Sequence, residues 1–107
     1  MEELELICFK IISEVGNSRS LYINAIKEAK KGDFKRAQEL MIEGEKSFAL
    51  GHHAHTELIQ KEADGKPTGV TLLLLHAEDQ LMSAEGFKIV AEEFIDVYKT
   101  IKDWTLM

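Results

Sequence analysis

Turn-forming residues gather at only three places in this chain: Gly16-Asn17-Ser18, Gly32-Asp33 and Asp64-Gly65-Lys66-Pro67-Thr68. Between them apolar residues recur at helical spacing, and the apolar–polar alternation of a half-buried strand is absent. The chain is thereby confined to long helices joined by short turns. That predicts an all-α, antiparallel up-down-up three-helix bundle. Its 107 residues suit a single domain, 1–107, and a chain of that length can hide about two-thirds of the surface it exposes when unfolded.

The first helical segment is predicted from about Glu2 to Lys31. Glu2, Glu3 and Glu5 complement the positive end of a helix dipole, and Lys30-Lys31 the negative end. Leu4, Ile7, Ile11, Ile12 and Val15 form an apolar stripe that Leu21, Tyr22, Ala25, Ile26 and Ala29 resume. Gly16-Asn17-Ser18 is expected to bend or interrupt this helix. Gly32 suits the left-handed position after it, and Asp33 suits the cap of the next.

The second segment is predicted from Asp33 to about Asp64, ended by Gly65 and Pro67. Two seven-residue series run along it, Phe34, Met41, Phe48, His55 and Ala37, Gly44, Gly51, Leu58. This is the seam of a long packed helix. An interior glycine costs about 1 kcal/mol relative to alanine, so close approach of a neighbouring helix is the expected compensation.

The third segment, from about Thr68 to Trp104, has two apolar sides. On a helical wheel Val70, Leu73, Leu74, Ala77, Leu81, Ala84, Ala91, Ile95 and Tyr98 gather toward the core. Glu78, Glu85, Glu92 and Lys99 form a narrow charged strip expected to face water. Leu72, Leu75, Met82, Gly86 and Val90 lie opposite the core, where a lone bundle would leave them bare. A patch of that length marks an interface, so the chain is expected to form an oligomer around this segment. His76 falls on the border between the two apolar sides, with Gln80 and Ser83 near it, and Asp79 falls within the second side. An imidazole at such a groove is suited to nucleophilic chemistry, phosphoryl transfer included, because its neutral form is abundant near pH 7. Copies of Asp79 meeting at a symmetry axis would repel unless protons or a cation bridged them, and hard divalent ions take such oxygen ligands.

Charge removes several function classes. The net charge is −6 and no stripe of Lys or Arg is present, so nucleic-acid binding has no support. No secretory leader pattern follows Met1, and no apolar run reaches the roughly 20 residues of a membrane span. The expectation is a cytoplasmic protein without membrane insertion. The lone Cys8 excludes an intrachain disulfide and reads as a small core residue. His52, His53 and His55 resemble a metal cluster, but only His52 and His55 share a helix face. His55 occupies a seam position and reads as a packed core histidine.

LLLLHAEDQLMSA, preceded by GHHAHTELIQKEADG and by ICFKIISEVGNSRSLYINAIKEAKKGDF, resembles the lactose/cellobiose-type enzyme IIA of the bacterial sugar phosphotransferase system. The likeness covers Glu3 to about Tyr98, and its most specific part is the HAEDQLM block. The resemblance implies that His76 takes a phosphoryl group, through Nε2, from the phosphocarrier protein HPr. From there the group passes to a cysteine of enzyme IIB and then to a disaccharide of the lactose, cellobiose or chitobiose type entering through the membrane component IIC. It implies a homotrimer with His76 between neighbouring chains, and a divalent metal, Mg2+ by family analogy, held by Asp79 on the axis. Gln80, one turn from His76, is a candidate donor to the phosphoryl oxygens. Glu85-Gly86-Phe87 departs from the family pattern. The rival reading is a non-enzymatic oligomerisation or adaptor protein in which the HAEDQ block only sets register. A bundle metalloenzyme would need Glu-x-x-His pairs, which the chain lacks.

Overall fold

The computed structural model describes residues 2–106. They form three α-helices, α1 (Glu3–Lys30), α2 (Phe34–Ala63) and α3 (Leu72–Leu106), with no strand among the described residues. The molecule is a rod of 60 × 22 × 19 Å.

The helix ends follow the capping chemistry that the turn residues supply. At the end of α1 the Asp33 amide donates to the Glu28 carbonyl and the Gly32 amide to that of Ala29, with Gly32 at φ 91°. This Schellman turn closes α1, and the Asp33 carboxylate then accepts from the Arg36 amide at 3.0 Å to open α2. The same motif closes α2: Lys66 donates to Lys61, Gly65 donates to Glu62, and Gly65 sits at φ 78°.

Two expectations fail for local reasons. Gly16-Asn17-Ser18 does not interrupt α1, which is continuous. Its polar side chains find partners that leave the helix ladder intact: Ser18 Oγ donates to the Val15 carbonyl at 2.8 Å, and Asn17 Nδ2 donates to Ser47 Oγ of α2 at 2.7 Å. The third helix begins at Leu72 rather than near Thr68. Gly69 at φ 80° breaks the chain's course, and Thr71 is the working cap, its hydroxyl accepting from the Leu74 amide at 3.1 Å. Val70 therefore precedes the helix and is exposed instead of joining the core.

The glycine seam of α2 is a close helix–helix contact. A Cβ at Gly44 would stand 2.5 Å from a ring carbon of Tyr22, and one at Gly51 would stand 2.6 Å from Val15 Cγ1. Tyr22 and Val15 are themselves buried, so neither can yield. The start of α1 meets the end of α2, where Lys61 Nζ and Glu3 Oε1 pair at 2.9 Å. Around this contact one core cluster joins Cys8, Ile11 and Val15 with Ala54, Leu58, Ala77, Leu81 and Ala84. A second joins Ala25, Ala29, Ala37, Leu40 and Ile95. Burial first, then the Glu78 and Glu5 carboxylates, push the Cys8 thiol above its ordinary pKa. Burial does the same to the Tyr22 phenol, whose hydroxyl finds no partner among the described residues.

The third helix is gripped unevenly. It packs mainly on α1 and only sparsely on α2. Across the α2–α3 gap two polar links take over, Lys88 to Glu45 at 2.7 Å and His55 to Glu78 at 2.5 Å.

Gly51→Ala should destabilise the subunit by about 1–2 kcal/mol, overpacking against Val15 outweighing the gain in helix propensity. Gly16→Ala, whose added carbon would meet nothing within 4 Å, should stabilise it by up to about 1 kcal/mol. Urea unfolding of both variants measures the contrast.

Candidate functional site

The two-sided character of α3 is present in the subunit. Ala77, Leu81, Ala84, Ala91 and Ile95 are buried against the other helices. On the other side Leu72 is 83% exposed, Met82 61%, Leu75 54% and Val90 46%. These values are far above those of the core and leave that side largely bare. The bare side also runs further than the sequence reading took it: Ile89, Phe94, Val97, Ile101 and Trp104 are exposed as well. The three- and four-residue spacing of Phe94, Val97, Ile101 and Trp104 after Val90 was the available signal. A shallow hollow of about 320 Å³ opens on this side among Met82, Ser83, Gly86, Phe87 and Val90. Gly86 faces open space within the subunit.

His76 is exposed, one residue before buried Ala77 and one turn after bare Leu72. Its side chain makes no hydrogen bond among the described residues, so both ring nitrogens are open to solvent or to a visiting group. An open imidazole of this kind can act as a nucleophile. Gln80, one turn on, is half-buried. Ser83, a further turn on the same face, accepts a hydrogen bond from Nη1 of Arg19 on α1 at 3.2 Å. The sequence reading did not single out Arg19. A lone arginine carries no spacing signal, and only the packing of α1 on α3 brings it to this face.

Asp79 is exposed on the bare side and joins no ion pair among the described residues. Its oxygen ligands suit a hard divalent ion, but one chain presents a single such carboxylate. Among the described residues no group of three or more His, Cys, Asp or Glu side chains gathers within the subunit to hold a metal.

Glu78 departs from expectation. It does not simply face water: its carboxylate meets His55 Nε2, on the side of α3 turned about 200° from His76. The relative register of α2 and α3 decides this, and neither sequence segment alone reports it. His55 is half-buried, in keeping with its seam position, and it links α2 to α3 without reaching the His76 face. His52 stacks on Phe48 with ring centroids 6.1 Å apart, and exposed His53 lies 3.7 Å from Glu57.

Residues 6–99 match the family model described as the lactose/cellobiose-specific IIA subunit of the PTS system. The chain is 43% identical over 102 residues to the lichenan-specific phosphotransferase enzyme IIA component of Bacillus subtilis (strain 168), a match covering 95% of this chain and 93% of the relative. Among solved structures it resembles the PTS cellobiose-specific enzyme IIA from Bacillus anthracis, with a TM-score of 0.94 and 42% identity over 96% of this chain and 94% of that one. It also resembles a chain of the IIA(chitobiose)–HPr complex from the N,N'-diacetylchitobiose branch of the Escherichia coli phosphotransferase system. That likeness has a TM-score of 0.82 and 32% identity, over 95% of this chain and 99% of that one.

Glu78→Ala is expected to cost about 1 kcal/mol of subunit stability by leaving half-buried His55 without its acceptor, while Glu78→Gln, which keeps a carbonyl oxygen there, should cost less. Denaturant midpoints at neutral pH measure the ordering.

Proposed function

The chain belongs to the lactose/cellobiose-specific IIA family of the sugar phosphotransferase system, and on that premise we propose that it is a phosphocarrier working through His76. In this reading HPr delivers the phosphoryl group, a cysteine of enzyme IIB receives it, and the membrane component IIC brings in the disaccharide that finally carries it. The sugar would be of the lactose, cellobiose or chitobiose type. The observation that carries the reading is the exposed imidazole, without a hydrogen-bond partner among the described residues, at the border between a covered and a bare apolar side of α3. The HPr complex of a chitobiose IIA relative supports the choice of donor.

The chemistry asks little of this chain beyond position. The lone pair of His76 Nε2 forms a P–N bond as the bond from phosphorus to the donor's nucleophile breaks, and that bonding pair returns to the donor atom. One nucleophile replaces another, so no separate general base is required. Gln80 can offer its amide to the phosphoryl oxygens, where charge grows in the transition state. Bare apolar residues beside His76, Leu72 and Leu75 among them, can exclude water when a partner covers the ring.

The proposed assembly is a cytoplasmic homotrimer of single-domain, antiparallel up-down-up subunits. The apolar side of α3 is the surface that three copies would bury. Asp79 from each copy would then face the axis and hold one divalent metal ion, Mg2+ in this reading. Such an ion would offset two of the three carboxylate charges and steady the assembly.

Incubation with phosphoenolpyruvate, enzyme I and HPr should add one acid-labile phosphoryl group to the wild type and none to His76→Gln, as read by mass spectrometry. A wild type that gains nothing overturns the reading. Asp79→Leu should keep or strengthen the trimer, because it removes like-charge repulsion at the axis. Sedimentation velocity measures this, and dissociation would instead make the metal essential to assembly.

A further inference from the structure

A phosphoryl group on His76 would bring nearly two negative charges to a surface that already carries Asp79, in a chain of net charge −6. From Leu72 to Phe87 the third helix has no Lys or Arg to balance them. The next cation, Lys88, is held by Glu45 at 2.7 Å across the α2 gap.

The chain has two arginines, and they are held very differently. Arg36 is exposed and shared by Glu39 at 3.1 Å and Glu43 at 3.6 Å. Arg19 is half-buried and meets no carboxylate within ion-pair distance among the described residues. Its one side-chain hydrogen bond there is the donation to Ser83 Oγ at 3.2 Å. A guanidinium carries five N–H donors, so Ser83 occupies only one.

Ser83 lies seven residues beyond His76, nearly two full turns, and therefore on the same face at about 10 Å along the axis. The first core cluster pairs Cys8, Ile11 and Val15 of α1 with Ala77, Leu81 and Ala84 of α3. Moving back along α1 from Arg19 thus moves toward His76. One turn back in that direction stands Gly16, where even a Cβ would meet nothing within 4 Å. The long Arg19 side chain has open space on the side from which a phosphoryl group would approach.

We propose that Arg19 is a positioning residue for the phosphoryl group of His76, its guanidinium leaving Ser83 and turning along the helix to donate to the phosphoryl oxygens. The inference rests on His76 being phosphorylated. The planar fork of a guanidinium matches two phosphoryl oxygens, and it stays charged throughout. No bond to Arg19 forms or breaks, and its protons stay where they are.

The plain alternative is a strap from α1 to α3 with no part in the chemistry. Three full-length variants separate the two, each with a thermal melt, a single-turnover transfer rate from phosphorylated HPr, and the phosphorus NMR resonance of the phosphorylated chain. Arg19→Ala should slow transfer by roughly 10- to 100-fold, the range of one charge-assisted hydrogen bond, and move the resonance. Arg19→Lys should recover part of the rate, because charge returns without the fork. Ser83→Ala, which cuts the strap and spares the guanidinium, should stay within about threefold of the wild type.

A wild-type rate in Arg19→Ala overturns the proposal. So does a loss in Ser83→Ala as large as that in Arg19→Ala. Should Arg19→Ala fail to fold, Arg19→Lys decides: full-rate transfer overturns the proposal, and slowed transfer with an unchanged melt supports it. A wild type that takes no phosphoryl group sinks the phosphocarrier reading itself. A phosphorylated wild type beside an undiminished Arg19→Ala sinks only the role of Arg19.

Discussion

A helix with apolar residues on opposite sides cannot hide both of them against neighbours that lie on one. That constraint governs this molecule. α3 buries Ala77, Leu81 and Ala84 against the rest of the bundle and leaves Leu72, Leu75, Met82 and Val90 bare. The border between the two conditions is where His76 stands, in partial contact with the fold and with both nitrogens open. α2 meets α3 on the side turned away from His76, through a sparse contact bridged by polar links at Glu78 and Lys88, so it leaves the ring uncovered.

The tight half of the bundle has a complementary role. With Gly44 against Tyr22 and Gly51 against Val15, α1 and α2 approach closely enough that their relative position has little freedom. Interiors at that packing density transmit small changes in volume directly. The close α1–α2 pair gives α3 a well-packed bed, most of it on α1. Arg19 leaves that bed to reach Ser83, so a stiff element delivers a flexible side chain to the open face.

Much of this was legible before the fold was known. The seven-residue glycine series announced close approach, Gly32 and Asp33 announced a turn and a cap, and the wheel of α3 placed His76 at a border. What stayed hidden depended on contacts between segments. Asn17 and Ser18 looked like breakers because nothing local reveals that Ser47 of α2 and the Val15 carbonyl satisfy them. The start of α3 was misjudged because Thr68 and Thr71 are equally good caps by residue type, and the left-handed Gly69 between them decides the matter. Glu78 looked solvated because its partner His55 arrives from another helix. The outer side of α3 was read only as far as Val90, although the same spacing carries on through Phe94, Val97 and Ile101.

The sealed position of Cys8 bears on the traffic of a phosphocarrier whose proposed acceptor is a partner's cysteine. A second accessible sulfur at that encounter could form a mixed disulfide with the acceptor and lock the two proteins together. Cys8 is fully covered, and its burial disfavours the thiolate that such a linkage requires. A chain working as proposed would therefore meet a reactive thiol repeatedly, through oxidising episodes, without becoming covalently trapped on it.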